Sequence, residues 1–277
     1  MSLYPLLMAP YFRSGSETPW GGYMLRDAFM KDAPDEVTGE SLEVSALENL
    51  ESMICSGAHA GQSLSHMHAL WGEALTGTTG GFPLTLKLID AQTAPGPSEP
   101  GNSKAWVILN CDAGAKIACD ADQWIDARPG DVHYIPAGQP HAIGAGVQLY
   151  EAQSAGAPGE TGAIPAHKLR GVTSLCKGGS RTYYISDNNF ELCRLNVSGA
   201  MPLSDGRMLF LTPLGPCKLR WADEEAELMP FDSVVVPAAL EGVTVESDDC
   251  KVLMASLSNP NALRAELGYR AEGVAGL

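Results

Sequence analysis

The sequence predicts a mainly β fold: two tandem double-stranded β-helix (jelly-roll) barrels, with a few helices near the N- and C-terminal ends. Three observations predict it. Short apolar runs separated by turn residues recur along most of the chain, at the spacing of a sandwich or barrel. A Gly- and Pro-rich stretch at 155–166 (AGAPGETGAIPA) has little to bury and divides the chain into 1–166 and 167–277. A long spaced motif at 130–141 fixes how one strand turns into the next. At 277 residues the chain can bury a sizeable core without covalent staples.

The elements follow in order. Residues 39–54 hold two strand-like runs around a polar turn. From Ser63, the residues Leu64, Met67, Leu70, Trp71, Ala74 and Leu75 recur at helical spacing, and Gly77 ends the helix. The run 82–89 (FPLTLKLI) is a strongly apolar strand, and 91–103 reads as an exposed loop rich in Pro, Gly and Ser. Strands are expected at 105–109, 115–119, 131–135 and 147–150. A second series is expected at 181–185, 190–197, 208–212, 217–221, 233–236, 243–245 and 251–257, then a helix at 261–267.

Composition excludes some partners. With 33 acidic and 18 basic residues, the formal charge is −15, which argues against binding a nucleic-acid backbone or an anionic membrane. Cations placed locally can still hold a small anion. Pro5, Pro10 and Arg13 interrupt any signal-like apolar start, and no apolar run reaches the ~18 residues of a membrane span. Seven dispersed cysteines, an odd number without a Cys-x-x-Cys pair, are expected as free thiols in a reducing, cytoplasmic setting.

The segment 130–141 (GDVHYIPAGQPH) fits G-x5-P-x-G-x2-H, and its spacing is similar to the second motif of the cupin fold. Gly130 and Asp131 turn the chain, a strand follows, and Pro136 to Gly138 turn it again. His141 then starts a returning strand and can point into the barrel, where an imidazole nitrogen can ligate a metal or be satisfied by hydrogen bonds. His133 is expected at the surface or in packing. His66 and His68 are two apart on the helix, so they diverge and belong to the surface. An echo of the turn at 231–238 (FDSVVVPA) lacks a following His, so the second barrel is expected to be structural and metal-free.

Several segments resemble, in order, the short type I mannose-6-phosphate isomerases: 19–22 (PWGG), 39–45 (GESLEVS), 59–61 (HAG), 82–91, 105–109 (AWVIL) and 130–144. The likeness is close over roughly 4–153 and loose beyond it. It implies interconversion of mannose 6-phosphate and fructose 6-phosphate, with a divalent metal, usually zinc, holding the sugar oxygens while a base moves a proton. It also implies four metal ligands, of which His141 is retained. In Glu151-Ala152-Gln153 it supplies Glu151 as a catalytic proton-transfer group and Gln153 as a substrate-binding residue.

The departures are as informative. Where the family carries Gln-x-His, this chain reads 92–97 (QTAPGP); the Glu ligand is replaced by Lys104, and the phosphate-linked Lys by Asn102. The family's later Arg has no counterpart in 155–166. The expected function is therefore an isomerase-like cupin with impaired catalysis, which retains a sugar or sugar-phosphate pocket to which Lys104 offers its charge. On this reading no cofactor is expected. One alternative is an active isomerase that completes a zinc site with Gln92, His133 or Glu99. Another is a metal-free structural or assembly cupin. Nucleic acid and membrane are excluded as partners, and a homo-oligomer is open.

Overall fold

The computed structural model describes residues 2–79, 81–98, 101–120, 123–154, 167–187, 189–203 and 206–277. The dividing stretch 155–166 and Glu99 lie outside them. The first half contains β1 (Leu6–Ala9), β2 (Tyr11–Ser14), β3 (Thr38–Val44), β4 (Met53–Ile54), β5 (Leu84–Ala91), β6 (Gly96–Ser98) and β7 (Lys104–Cys111). It continues with β8 (Lys116–Ala118), β9 (Trp124–Asp126), β10 (Val132–Ile135), β11 (His141–Ile143) and β12 (Val147–Ser154). The second half contains β13 (His167–Leu169), β14 (Val172–Cys176), β15 (Gly179–Ser186), β16 (Glu191–Pro202) and β17 (Leu209–Pro213). It ends with β18 (Cys217–Trp221), β19 (Glu224–Leu228), β20 (Ser233–Val236) and β21 (Thr244–Ser256). Helices are few: α1 (Met24–Asp27), α2 (Leu64–Trp71), α3 (Glu73–Thr76) and α4 (Pro260–Leu267). None is long and apolar enough to cross a membrane among the described residues.

Every ladder in the three sheets is antiparallel. A seven-stranded sheet, in the order β13-β10-β7-β12-β5-β3-β2, faces a four-stranded sheet, β6-β11-β8-β9, and the two enclose the first barrel. The remaining strands form one ten-stranded sheet, in which β20 pairs with β17 on one side and with β1 on the other. Two short strands, β1 and β4, thus pass from the start of the chain into the second sheet, and β13 passes back to pair with β10.

Side-chain alternation explains the layers. Along β5, Leu84, Leu86 and Leu88 join a core shared with Phe210, Val235 and Leu253 of the other sheet, whereas Ile89 and Ala91 join the core inside the first barrel. The seven-stranded sheet is therefore buried on both faces, which is why its strands read as nearly continuous apolar runs. A third core, with Leu195, Leu209, Leu211 and Met254, fills the second barrel. Glu43 ties the barrels together: Lys31 Nζ donates to it at 2.5 Å and Ser233 Oγ at 3.0 Å.

Three expectations are corrected. The helix from Ser63 is broken at Gly72, whose φ of 52° and ψ of −128° leave the helical region, so α2 and α3 are separate. The loop at 91–103 contains β6, which pairs with β11. The strands expected at 243–245 and 251–257 form one 13-residue strand, β21.

Candidate functional site

The site is built by β10, β7, β12 and β5, which lie side by side. Register places His133 opposite Trp106, Trp106 opposite Glu151, and Glu151 opposite Lys87. Directly opposed residues share a face, so this row points into the first barrel. In the next row Lys104 stands opposite Ile135 and Gln153.

Glu151 is the centre of the row and only 2% exposed. Trp106 Nε1 donates to its Oε2 at 2.8 Å, Lys104 Nζ lies 3.3 Å from Oε2, and Lys87 Nζ lies 3.6 Å from Oε1. Lys87 also reaches Glu40 at 3.5 Å, and Arg13 Nη1 donates to Glu40 at 3.3 Å. Alternating charges thus run from β2 to β7: Arg13, Glu40, Lys87, Glu151, Lys104. Burial alone raises a carboxyl pKa, but here Lys104, Lys87 and the Trp106 N–H outweigh it and hold Glu151 down to about 2.

His141 approaches from the facing sheet and is 3% exposed. Its Nδ1 lies 2.9 Å from the Gln139 carbonyl. A carbonyl only accepts, so Nδ1 carries the proton and Nε2 is left as a lone pair. That Nε2 is buried and, among the described residues, without a hydrogen-bond partner. The ring meets Trp106 edge-on, with centroids 5.4 Å apart. Burial, and then the Lys104 charge, push its pKa below the usual histidine range, so the imidazole is neutral at pH 7.

Four of the sequence-identified residues therefore converge: His141, Lys104, Glu151 and, on the same face, Gln153. His133 joins them, fully buried beside Trp106, so of the surface and packing roles left open it takes packing. His66 is exposed, and His68 sits edge-on to Phe82 on the helix. Asn102 donates to the Ser154 carbonyl at 2.9 Å. Sequence reasoning missed Arg13, Glu40, Lys87 and the indole donor of Trp106. Lys87 carried a signal, since an inward-facing lysine in an apolar strand needs a carboxylate partner.

No family model matches the chain. A putative mannose-6-phosphate isomerase of Bacillus subtilis, YvyI, is 23% identical over 309 residues, spanning 89% of this chain and 97% of the relative. The mannose-6-phosphate isomerase of Streptococcus mutans is 30% identical over 171 residues, 48% of this chain and 53% of that protein. The crystal structure of the mannose 6-phosphate isomerase from Bacillus subtilis aligns over 91% of this chain and 99% of its own, with a TM-score of 0.78 and 21% identity. This chain is similar in sequence and in fold to the mannose-6-phosphate isomerases. Its fold is the cupin fold of these isomerases, as a putative mannosephosphate isomerase from Archaeoglobus fulgidus also shows, with a TM-score of 0.69 over 94% of this chain at 21% identity.

The donor set in the first barrel does not fit the metal that the family resemblance implies. His141 Nε2 is a ligand-type atom, but the nearby Lys104 is a cation and repels a second one. Glu151 is already engaged by two ammonium groups and an indole. The strand paired with that of His141 reads Gly96-Pro97-Ser98, with no imidazole or amide. Gln92 is exposed. Among the described residues no group of three His, Cys, Asp or Glu stands where it could hold a metal ion.

Proposed function

We propose that the first barrel binds a sugar or sugar phosphate and does not carry out the metal-assisted proton transfer implied by the family resemblance. The observation that carries this reading is the pair of ammonium groups on Glu151. A general base works best with a pKa near the operating pH, and a carboxylate held near 2 accepts a proton poorly at pH 7. Lys104 stands where the family resemblance expects a carboxylate ligand, and its charge takes the place of the ion's. Lys104 Nζ and the His141 Nε2 lone pair then offer a donor and an acceptor to a polar ligand, with Gln153 beside them. The seven free thiols support a reducing, cytoplasmic setting.

A second reading rests on the unpartnered Nε2 of His141, which favours an active isomerase with a bound metal. Thermal melting with mannose 6-phosphate, alongside an interconversion assay, separates the two. A dose-dependent rise in melting temperature without turnover is the expected result. Turnover to fructose 6-phosphate would establish the second reading. Neither binding nor turnover would leave a structural or assembly role.

A further inference from the structure

Between the two barrels lies a second cleft, of about 380 Å³. Val107 and Val132 line it from the first barrel, and Tyr184, Arg194, Lys251 and Leu253 from the second. Register pairs Arg194 with Leu253 and Asn196 with Lys251, so the two cations stand diagonally on one face of adjacent strands. The Arg194 guanidinium lies 5.9 Å over the Tyr184 ring, and its Nε is buried without a hydrogen-bond partner among the described residues. Among the described residues, neither the Arg194 nor the Lys251 side chain makes a hydrogen bond or ion pair.

Acidic residues outnumber basic ones by 33 to 18, and Arg13, Lys31, Lys87, Lys104, Arg207 and Arg220 each have a carboxylate within 4 Å. Two adjacent cations without one, against an apolar wall, form a local positive site in a strongly negative molecule. Two neighbouring cations match a dianion better than a monocarboxylate, and a guanidinium suits the geometry of phosphate oxygens. We propose that this cleft binds a small organic phosphate, with its oxygens between Arg194 and Lys251 and its body against Val107, Val132 and Leu253. Val107 and Val132 each adjoin a residue of the first-barrel row, Trp106 and His133, so the cleft backs directly onto that row. The proposal does not depend on what the first barrel binds.

Calorimetric titration of the full chain with inorganic phosphate, at ionic strength balanced with chloride, tests it. Saturable binding is expected, weakened about tenfold or more by Arg194→Met and by Lys251→Met, as for loss of a charge-assisted hydrogen bond. Arg194→Lys retains the charge and should weaken binding less than Arg194→Met. Lys251 is exposed, so its replacement leaves the fold intact and keeps the test decisive if the Arg194 variants melt early. Absence of saturable binding to the wild type would overturn the proposal. So would binding that survives both methionine substitutions, or binding lost in Lys104→Met alone, which would assign the phosphate to the first barrel.

Discussion

Both barrels use the same turn and complete it differently. In the first, Gly130 takes a φ of 87°, the four-residue β10 follows, and Pro136 ends it. In the second, Phe231 takes a φ of 68°, the four-residue β20 follows, and Pro237 ends it. Glycine adopts this left-handed conformation without steric cost, whereas Phe231 is held there by its ring against Phe29, with centroids 4.5 Å apart. After the turn, the first barrel returns a strand carrying His141. The second instead donates the Ala238 and Ala239 N–H groups to carbonyls of Leu75 and Ala74 at the end of the broken helix. Inside, the first barrel carries the charged row, and the second is filled by leucine, valine and methionine. One backbone device thus supports either a charged interior or an apolar one, and the inward side chains decide which.

The largest break in this contrast comes from the charged row. Glu151→Ala leaves Lys87 and Lys104 buried without their shared partner, and should cost about 3–5 kcal/mol in urea unfolding. An unchanged midpoint would show that the row contributes nothing to the first barrel. The same carboxylate predicts a pH dependence. Its folded pKa of about 2 lies below the ordinary 4.5, so its stabilisation is present above about pH 4.5 and is lost as pH falls towards 2. The expected loss is about 3 kcal/mol, and Glu151→Gln should flatten that part of the stability curve.

In the second barrel the matching break is a cavity. Leu211→Ala should cost about 3 kcal/mol and leave ligand binding in the first barrel unchanged. A change in both would mean the barrels are more tightly coupled than their separate interiors suggest. Gly130→Ala has open space for its methyl group, so only the left-handed backbone is strained, and about 1 kcal/mol is expected. At the surface, Lys218→Ala removes exposed pairs with Glu225 and Glu227 and should shift stability by no more than about 0.5 kcal/mol.

The second-half strands were legible where apolar runs end at clear turns: 217–221 and 233–236 match β18 and β20. Leu6–Ala9 was not, because Pro5 and Pro10 bracket a four-residue strand, one of whose partners, β20, lies more than 200 residues away. In the site, the motif puts His141 on the returning strand, where β11 carries it against Trp106, and the resemblance drew attention to Lys104 and Glu151. What the sequence could not supply was their pairing, since Lys104 and Glu151 meet only through the ladder of two strands far apart in the chain. The face of His133 was undecided for the same reason: alternation gives two faces, and only register with Trp106 chooses one.

The central claim is that an ammonium group, not a metal ion, supplies the positive charge beside Glu151. Zinc content measured on protein purified without chelator, with mannose 6-phosphate turnover followed on the same sample, tests it most directly. The account predicts that zinc stays far below one ion per chain even after zinc is added, and that fructose 6-phosphate does not form. Near-stoichiometric zinc accompanied by turnover would contradict it.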